Sequence, residues 1–553
     1  MPRSPISLLI IALVAAFAFV WGCAHRSGPQ ARLDATGLRY VASERARENL
    51  ADRAGMQERP ELEGFIANLE VADGKVRLTL EEIVRRALRS SLDIQVASYT
   101  PAISETDIMA AESDFDPEYF LEGSYEKTDR PNMAFTNMAN SRYSFEDSRI
   151  VSTGVRKTFA TGGSIAVSEN LDYFRTNSPV QESPIYATSF MVELTQPLLR
   201  DMGLDANKAQ IYIASHNRDA SVEAFRATVM DVLLDLETVY WELVYSVRDV
   251  QVRERSLALA EEVLRREKSR EEQKMAKPLE VSRARAAVTS RRAELIRAQN
   301  RVRDLSDRIK SVLNDAELDL TDEVLIVPAD GPQLLRPEMD SRNAVLTAVA
   351  ERPELRELRN QIRAVEAQKR YDRNQLLPRL DATFVWRRNS IAQNSAEAWK
   401  EQGTGRFTDY GAGLVFEVPI GNRYAESQYR RSALELRQAM LGLENLTQDV
   451  ILEVNTAIRE VETNLQEIVA TREARIASKD TLDGEQARYD VGDVTNEELL
   501  RAQRDFEEAE RNELQAITLL NVAVVRLERA KGTLLDYNNI HLLPTDFHDP
   551  QDR

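Results

Sequence analysis

The sequence has a single cysteine in 553 residues, Cys23, so no internal disulfide can form. It has four histidines, His25, His216, His541 and His548, and none lies at metal-ligand spacing within a helix. No nucleophile elbow, phosphate-binding loop, dinucleotide fingerprint or HExxH pattern occurs. The residues therefore offer no catalytic constellation, cofactor site or metal site. No long apolar run follows the one at the N-terminus, which excludes a further transmembrane helix. Positive charge is in deficit: the net charge is −18, which argues against nucleic acid as the main partner. Glycine is sparse at 21 residues, and 29% of the chain is charged, as in proteins built from long solvated helices.

What is present is a chain written twice. "ALRSSLDIQVA" (87–97) answers "AVAERPELREL" (348–358), with Ala87 on Ala348 and Ile94 on Leu355, an offset of 261. The same offset carries Pro117 onto Pro378. Pro197 of "VELTQPLL" then falls on Pro419 of "LVFEVPIG", an offset of 222. "DVLLDLETVYWEL" (231–243) falls on "DVILEVNTAIREV" (449–461) at an offset of 218, which also places Ala284 on Ala502. The drop from 261 to 222 locates 39 extra residues in the first half, between Pro117 and Pro197.

The repeats span about residues 78–314 and 341–535, joined by 315–340 and followed by a polar tail, 536–553. Each opens with a helix. Thr79 and Glu82 form a capping box before an apolar stripe, and this first helix is expected to run to about Glu112. Its counterpart is expected from Ser341 to Arg373. Strands follow at about 118–128, 186–197, 379–389 and 410–419, where apolar and polar residues alternate between proline and glycine boundaries. Such alternation fits a small soluble sheet packed on a core, and equally a membrane wall with one lipid face and one polar face. Pro197 and Pro419 mark the junctions from strand to helix. Two very long helices come next, from about 208 to 274 and 424 to 490; the second carries apolar residues at steps of three and four, a coiled-coil seam. Each turns and returns, giving hairpins at about 208–313 and 424–535. The extra segment, about 129–185, contains "GVRKTFATGGSIAVSEN", a strand–turn–strand pattern around Gly162-Gly163. It is expected to extend the protein on the far side of the membrane, with added wall strands as the alternative.

Residues 1–22 pair a short basic start with an apolar run, a secretory signal pattern. "VWGC" resembles the lipobox of bacterial lipoproteins, which implies a mature chain from Cys23, acylated there, with an N-terminal segment 23–77. Ala24 after the cysteine gives no inner-membrane retention signal, so the resemblance implies the outer membrane.

With "LTLEEIVRRAL" (78–88), "LTQPLLRDMG" (194–203), "RYDVGDVTNEELLRAQ" (488–503) and "RLERAKGTLL" (526–535), the chain resembles the TolC-like outer-membrane efflux proteins over about residues 75–537. The resemblance implies an α+β membrane protein, a homotrimer whose chains each give four strands to a shared outer-membrane β-barrel and whose helical hairpins form a long periplasmic tunnel. It implies outer-membrane lipid, a periplasmic adaptor and an inner-membrane pump as partners, no cofactor and no enzymatic activity. The adaptor-facing tips would carry Gly492 and Asp493 in one hairpin, and Met275 and Lys277 in the other, where the family's glycine is missing. Aperture candidates are Glu498, at a position where the family is acidic, and Arg501, where it is acidic and this chain is not. The competing reading is a structural coiled-coil lipoprotein of the envelope without a pore; four alternating strands argue against it.

Overall fold

The computed structural model describes residues 74–131, 143–178, 183–274 and 277–540, apart from 316, 322, 333 and 335–339. Cys23 and Met275 lie outside the described residues, as does the polar tail from 541. Among the described residues no helix is long and apolar enough to cross a membrane.

The chain opens with strand β1 (Lys75–Leu78) and helices α1 (Leu80–Ser90) and α2 (Leu92–Glu112). Strands β2 (Glu118–Pro131), β3 (Tyr143–Thr158), β4 (Ser164–Thr176) and β5 (Ile185–Pro197) follow. A short helix α3 (Leu204–Asn207) leads into α4 (Ala209–Glu272), which turns into α5 (Pro278–Leu313). After β6 (Leu325–Pro328) the second half repeats the plan: α6 (Ser341–Glu351), α7 (Pro353–Gln375), β7 (Arg379–Ala392), α8 (Ser395–Thr404), β8 (Phe407–Glu417), α9 (Arg423–Asp490) and α10 (Asn496–Lys531). Helix α11 (Leu534–Tyr537) closes it. The long helices α4 and α9 have 64 and 68 residues.

The chain divides into two compact units, and each takes segments from both repeats. One unit, residues 102–219 and 360–441 among those described, contains a six-stranded sheet in the order β2-β3-β4-β5-β7-β8, antiparallel throughout. Of the two expectations for the extra segment, an outward extension or added strands, the sheet order agrees with the second. The segment forms β3 and β4, paired continuously between β2 and β5, so the sheet of one chain has six strands where the family resemblance implied four. The period-two pattern of "IAVSEN" and its neighbours is the same signal as in the other four strands, and backbone pairing, which sequence does not display, decides its place.

The other unit, residues 74–101, 220–359 and 442–540, is helical. Its largest core gathers Val76, Ile83, Leu233, Leu236, Tyr240, Ile309 and Leu313 around the parallel pair β1–β6. The joining segment 315–340 supplies β6. Tyr240 is fully buried, and its hydroxyl donates to Asp330 Oδ2 at 2.6 Å, while Asp330 also accepts from the Leu80 amide at 2.8 Å. One carboxylate thus ties the joining segment to both α1 and α4. A second core packs α6 and α7 on α9 and α10 through Leu355, Val454, Val461, Leu520 and Leu527.

Each repeat opens with two helices rather than the single one expected. Ser91 breaks the first at φ −59°, ψ 125°, and Arg352 breaks the second at φ −57°, ψ 120°. The two positions are related by the same offset of 261, and their amides cap Ala87 and Ala348, which are likewise equivalent. At Arg352 the cause is legible: the following Pro353 disfavours helical backbone in the residue before it. The last return helix ends at Lys531, four residues short of expectation, because Gly532 takes the left-handed conformation at φ +77°.

Candidate functional site

The sheet's register sorts its side chains into two faces. One cross-strand row runs Tyr119, Val155, Val167, Val192, Trp386, Tyr410, apolar or aromatic on all six strands. The next row on that face runs Lys157, Ile165, Leu194, Phe384 and Ala412, apolar on all but β3. Further along, Tyr125, Arg149, Tyr173 and Tyr186 share a row; the Arg149 guanidinium lies 5.5 Å from the Tyr125 ring centroid and 5.1 Å from that of Tyr173. Aromatic rings flanking a cation whose stem can lie on apolar surface is the chemistry of a membrane–water boundary.

The opposite face is the more polar one, although Phe120, Ile150, Met191 and Val385 also lie on it. Its rows include Glu118, Arg156 and Glu193; Glu122, Ser152, Asn170, Ser189 and Asn389; and Arg387 with Asp409. Neighbours on it pair across strands: Arg156 with Glu118 at 2.5 Å, and Asn389 donating to Asp409 at 2.5 Å. The strands have 11 to 16 residues, enough for the roughly 9–11 that a tilted strand needs to cross a bilayer. The observed strands agree with the predicted ones to within three residues at either end.

One polar notch interrupts the apolar face, and helix α8 covers it. Gln402 donates to Glu169 at 2.8 Å, and the Ser390 hydroxyl donates to the Ala398 carbonyl while lying 3.1 Å from Thr188 Oγ1. The sequence reading missed α8; its signal was Asn394 followed by Glu397, a side-chain N-cap that the structure forms at 2.9 Å.

At the sheet end where β5 leaves for the helices, Pro197 is the last strand residue, whereas Pro419 lies two residues past β8. The C-terminal end of α7 organises both exits. Asn374 accepts from the Asp201 amide at 2.7 Å, Gln375 donates to the Asp201 carboxylate at 2.5 Å, and the Leu376 carbonyl accepts from Asn422 at 3.2 Å. The β3–β4 turn docks at this same end. Gly203 donates to the Thr161 carbonyl at 3.1 Å, and a Cβ on Gly162 would stand 2.1 Å from the Asp201 carbonyl oxygen. Only glycine fits there, in both space and conformation (φ +90°).

The helical unit ends in two turns. In the second, Gly492 is left-handed at φ +80°, the Asp493 amide donates to the Arg488 carbonyl at 2.9 Å and the Gly492 amide to Tyr489 at 3.0 Å, a Schellman closure. Arg488 Nε also reaches the Asp493 carboxylate at 3.0 Å. In the first turn Lys274 takes the left-handed position at φ +59°, and Lys277 is the extended residue preceding Pro278. The offset of 218 superposes Lys274 on Gly492. The residue that replaces the missing glycine is therefore Lys274, one step before the Met275 singled out from sequence.

Glu498 serves a local role: its carboxylate accepts from the Thr495 amide at 2.9 Å, completing a capping box at the start of α10. Arg501 lies 3.9 Å from Glu497. Within one chain, then, the two aperture candidates are not partnered with each other. Nearby, polar groups join the two hairpins. The Tyr489 hydroxyl donates to Glu267, which is 1% exposed, and burial followed by that carboxylate pushes the Tyr489 pKa up to about 12. Arg291 donates to the Ser256 carbonyl at 2.9 Å and to Gln503 at 3.1 Å; burial lowers its pKa from the ordinary value. Among the described residues no group of three or more His, Cys, Asp or Glu side chains is placed to hold a metal ion.

Solved structures share this fold. A membrane protein from Pseudomonas aeruginosa matches at a TM-score of 0.63 and 18% identity, over 86% of this chain and 99% of that one. The Campylobacter jejuni CmeC outer membrane channel matches at 0.61 and 13%, over 87% and 94%. The open state of the Neisseria gonorrhoeae MtrE outer membrane channel matches at 0.58 and 16%, over 87% and 98%. No curated protein matches the chain. The model of the outer membrane efflux protein family matches residues 166–315 and 345–533, more than half of the chain. A two-faced sheet and two long hairpins in one duplicated chain agree with that match, and with the resemblance read from the sequence: the protein belongs to the outer membrane efflux protein family of TolC-like channels.

Proposed function

We propose that the protein is a passive export duct, the outer-membrane component of a multi-component efflux or type I secretion system. Three copies close the barrel, the helical hairpins form the tunnel, and the tips at Gly492 and Lys277 meet a periplasmic adaptor coupled to an inner-membrane pump. Cys23, acylated, tethers each chain to the outer membrane. The observation that carries this reading is the sheet: apolar on one face, polar on the other, and open at both edges. An open strand edge in lipid leaves unpaired amides and carbonyls, each costing several kcal/mol, so such a sheet requires neighbours. A pore-free envelope scaffold has no use for it.

Near the second tip, Glu498 and Arg501 line the closed aperture, and three symmetry copies set each Arg501 toward a neighbour's acidic groups. The test is reconstitution of the purified full-length protein in planar bilayers. Discrete channels are expected, with a closed-state conductance that changes when Arg501→Asp converts each cation to an anion. Channels that the substitution does not alter remove the aperture role; protein that inserts as monomers and never conducts overturns the duct.

A further inference from the structure

We infer that the outer-membrane wall is a barrel of eighteen strands, formed by the β8 edge of each chain pairing with the β2 edge of the next copy; this rests on the three-copy reading above. Four observations carry it.

First, β3 and β4 run the full height of the sheet. Fourteen residue pairs join β2 to β3, thirteen join β3 to β4 and eleven join β4 to β5, against twelve between β5 and β7. The β3–β4 turn sits at the helix-side end, held by the Gly203–Thr161 hydrogen bond and by the fit of Gly162 against Asp201. A hairpin that only extended the protein outward would not return to this end.

Second, both faces continue through the added strands. Val155, Val167 and Leu171 carry the apolar face, and Ser152, Asn170 and Arg156 carry the polar one. Folding the hairpin away from the wall would expose both its faces to one environment, water or lipid.

Third, six is even. With antiparallel pairing throughout, β2 and β8 run in opposite senses, so a β8-to-β2 seam between copies is itself antiparallel.

Fourth, the two edge strands are the most exposed. Every residue of β8 is exposed, including Tyr410 at 81% and Leu414 at 71%, and β2 exposes Leu121 and Tyr125 at 56% and 63%. Large apolar groups on the lipid-facing side are exposed on inner strands too, Val155 at 44% and Phe384 at 45% among them, but Tyr410 and Leu414 on the unpaired β8 edge are the barest.

Barrel diameter grows roughly linearly with strand number, so the wall is about 1.5 times as wide as one made from four strands per chain, and in the range that leaves an aqueous channel. The lumen is lined by the polar face, with Glu118, Arg156, Glu193 and Asp409 among its charges. It suits a bulky hydrated cargo and leaves size selection to the helical tunnel.

The test is single-particle imaging of the full-length protein in lipid nanodiscs, beside a variant lacking residues 140–181, which joins β2 to β5. A three-fold particle with eighteen strands is expected, and a wall narrower by about a third in the variant. A three-fold native particle with a twelve-stranded wall and the β3–β4 hairpin outside it overturns the inference and leaves the duct standing. A particle without three-fold symmetry overturns the three-copy reading itself. Should the variant fail to assemble, the native strand count alone decides.

Discussion

At the scale of single residues, the two hairpin turns test one conformational argument twice. Lys274 and Gly492 occupy equivalent left-handed positions. A side chain in that conformation costs about 1 kcal/mol relative to glycine. Lys274→Gly is therefore expected to slow amide hydrogen exchange in the last turn of α4 by up to about five-fold, and Gly492→Ala to speed it in the last turn of α9. A Cβ at Gly492 would meet nothing within 4 Å, so the second effect is purely conformational. Glu237 makes a different kind of test. It is fully buried, accepts from Asn538 at 2.7 Å, and burial pushes its pKa from 4.5 up to about 7. Between those values the native state keeps the proton that the unfolded chain releases. Stability is thus full below about pH 4.5 and falls as pH rises through about 7. Glu237→Gln is expected to remove that fall, raising Tm at pH 8 and leaving it little changed at pH 5; calorimetry at the two pH values measures it. Gly492 was legible from its turn context. Lys274 was not, because lysine gives no local sign of positive φ, and only the repeat offset points to it.

At the scale of elements, the paired helix breaks carry the clearest expectation. Leu92 is the equivalent of Pro353, half exposed, at the first position of α2, and Ser91 already has the extended backbone that a following proline demands. Leu92→Pro is expected to fold and assemble normally, with stability unchanged or higher by up to about 1 kcal/mol. A clear drop in Tm would show that the two breaks are alike in angle only. The long helices and most strand bounds were legible because periodicity extends over many residues. The breaks were not, since each occupies one residue. The parallel β1–β6 pair was hidden for another reason: its strands have four residues each, too few for a pattern, and lie some 250 residues apart. The place of β3 and β4 depended on pairing partners, which alternation alone leaves undetermined.

At the scale of the molecule, the duplication was legible in the constancy of its offsets, and the helical unit obeys it closely. Arg352 and Arg529 show where the second copy diverged. Arg352 pairs with Glu354 at 2.9 Å and Glu453 at 2.8 Å, and Arg529 with Glu354 and Asp231, both at 2.7 Å. Burial raises the Glu354 pKa, but Arg529 and Arg352 outweigh it and hold the carboxyl below its ordinary value. The serine at the equivalent break, Ser91, has no such charge to place. The sheet departs from the duplication at one place, because the β3–β4 hairpin occurs once per chain while β2 and β5 answer β7 and β8. The consequence concerns rotational order. In the three-copy assembly proposed above, a twice-written chain gives six nearly alike helical hairpins, so the helical unit approaches six-fold regularity, whereas a sheet with unequal halves repeats only every 120°. In that assembly the sheet unit has half the rotational order that the helical unit approaches, and the unlike turns at Lys274 and Gly492 keep the helical unit from being a true hexad.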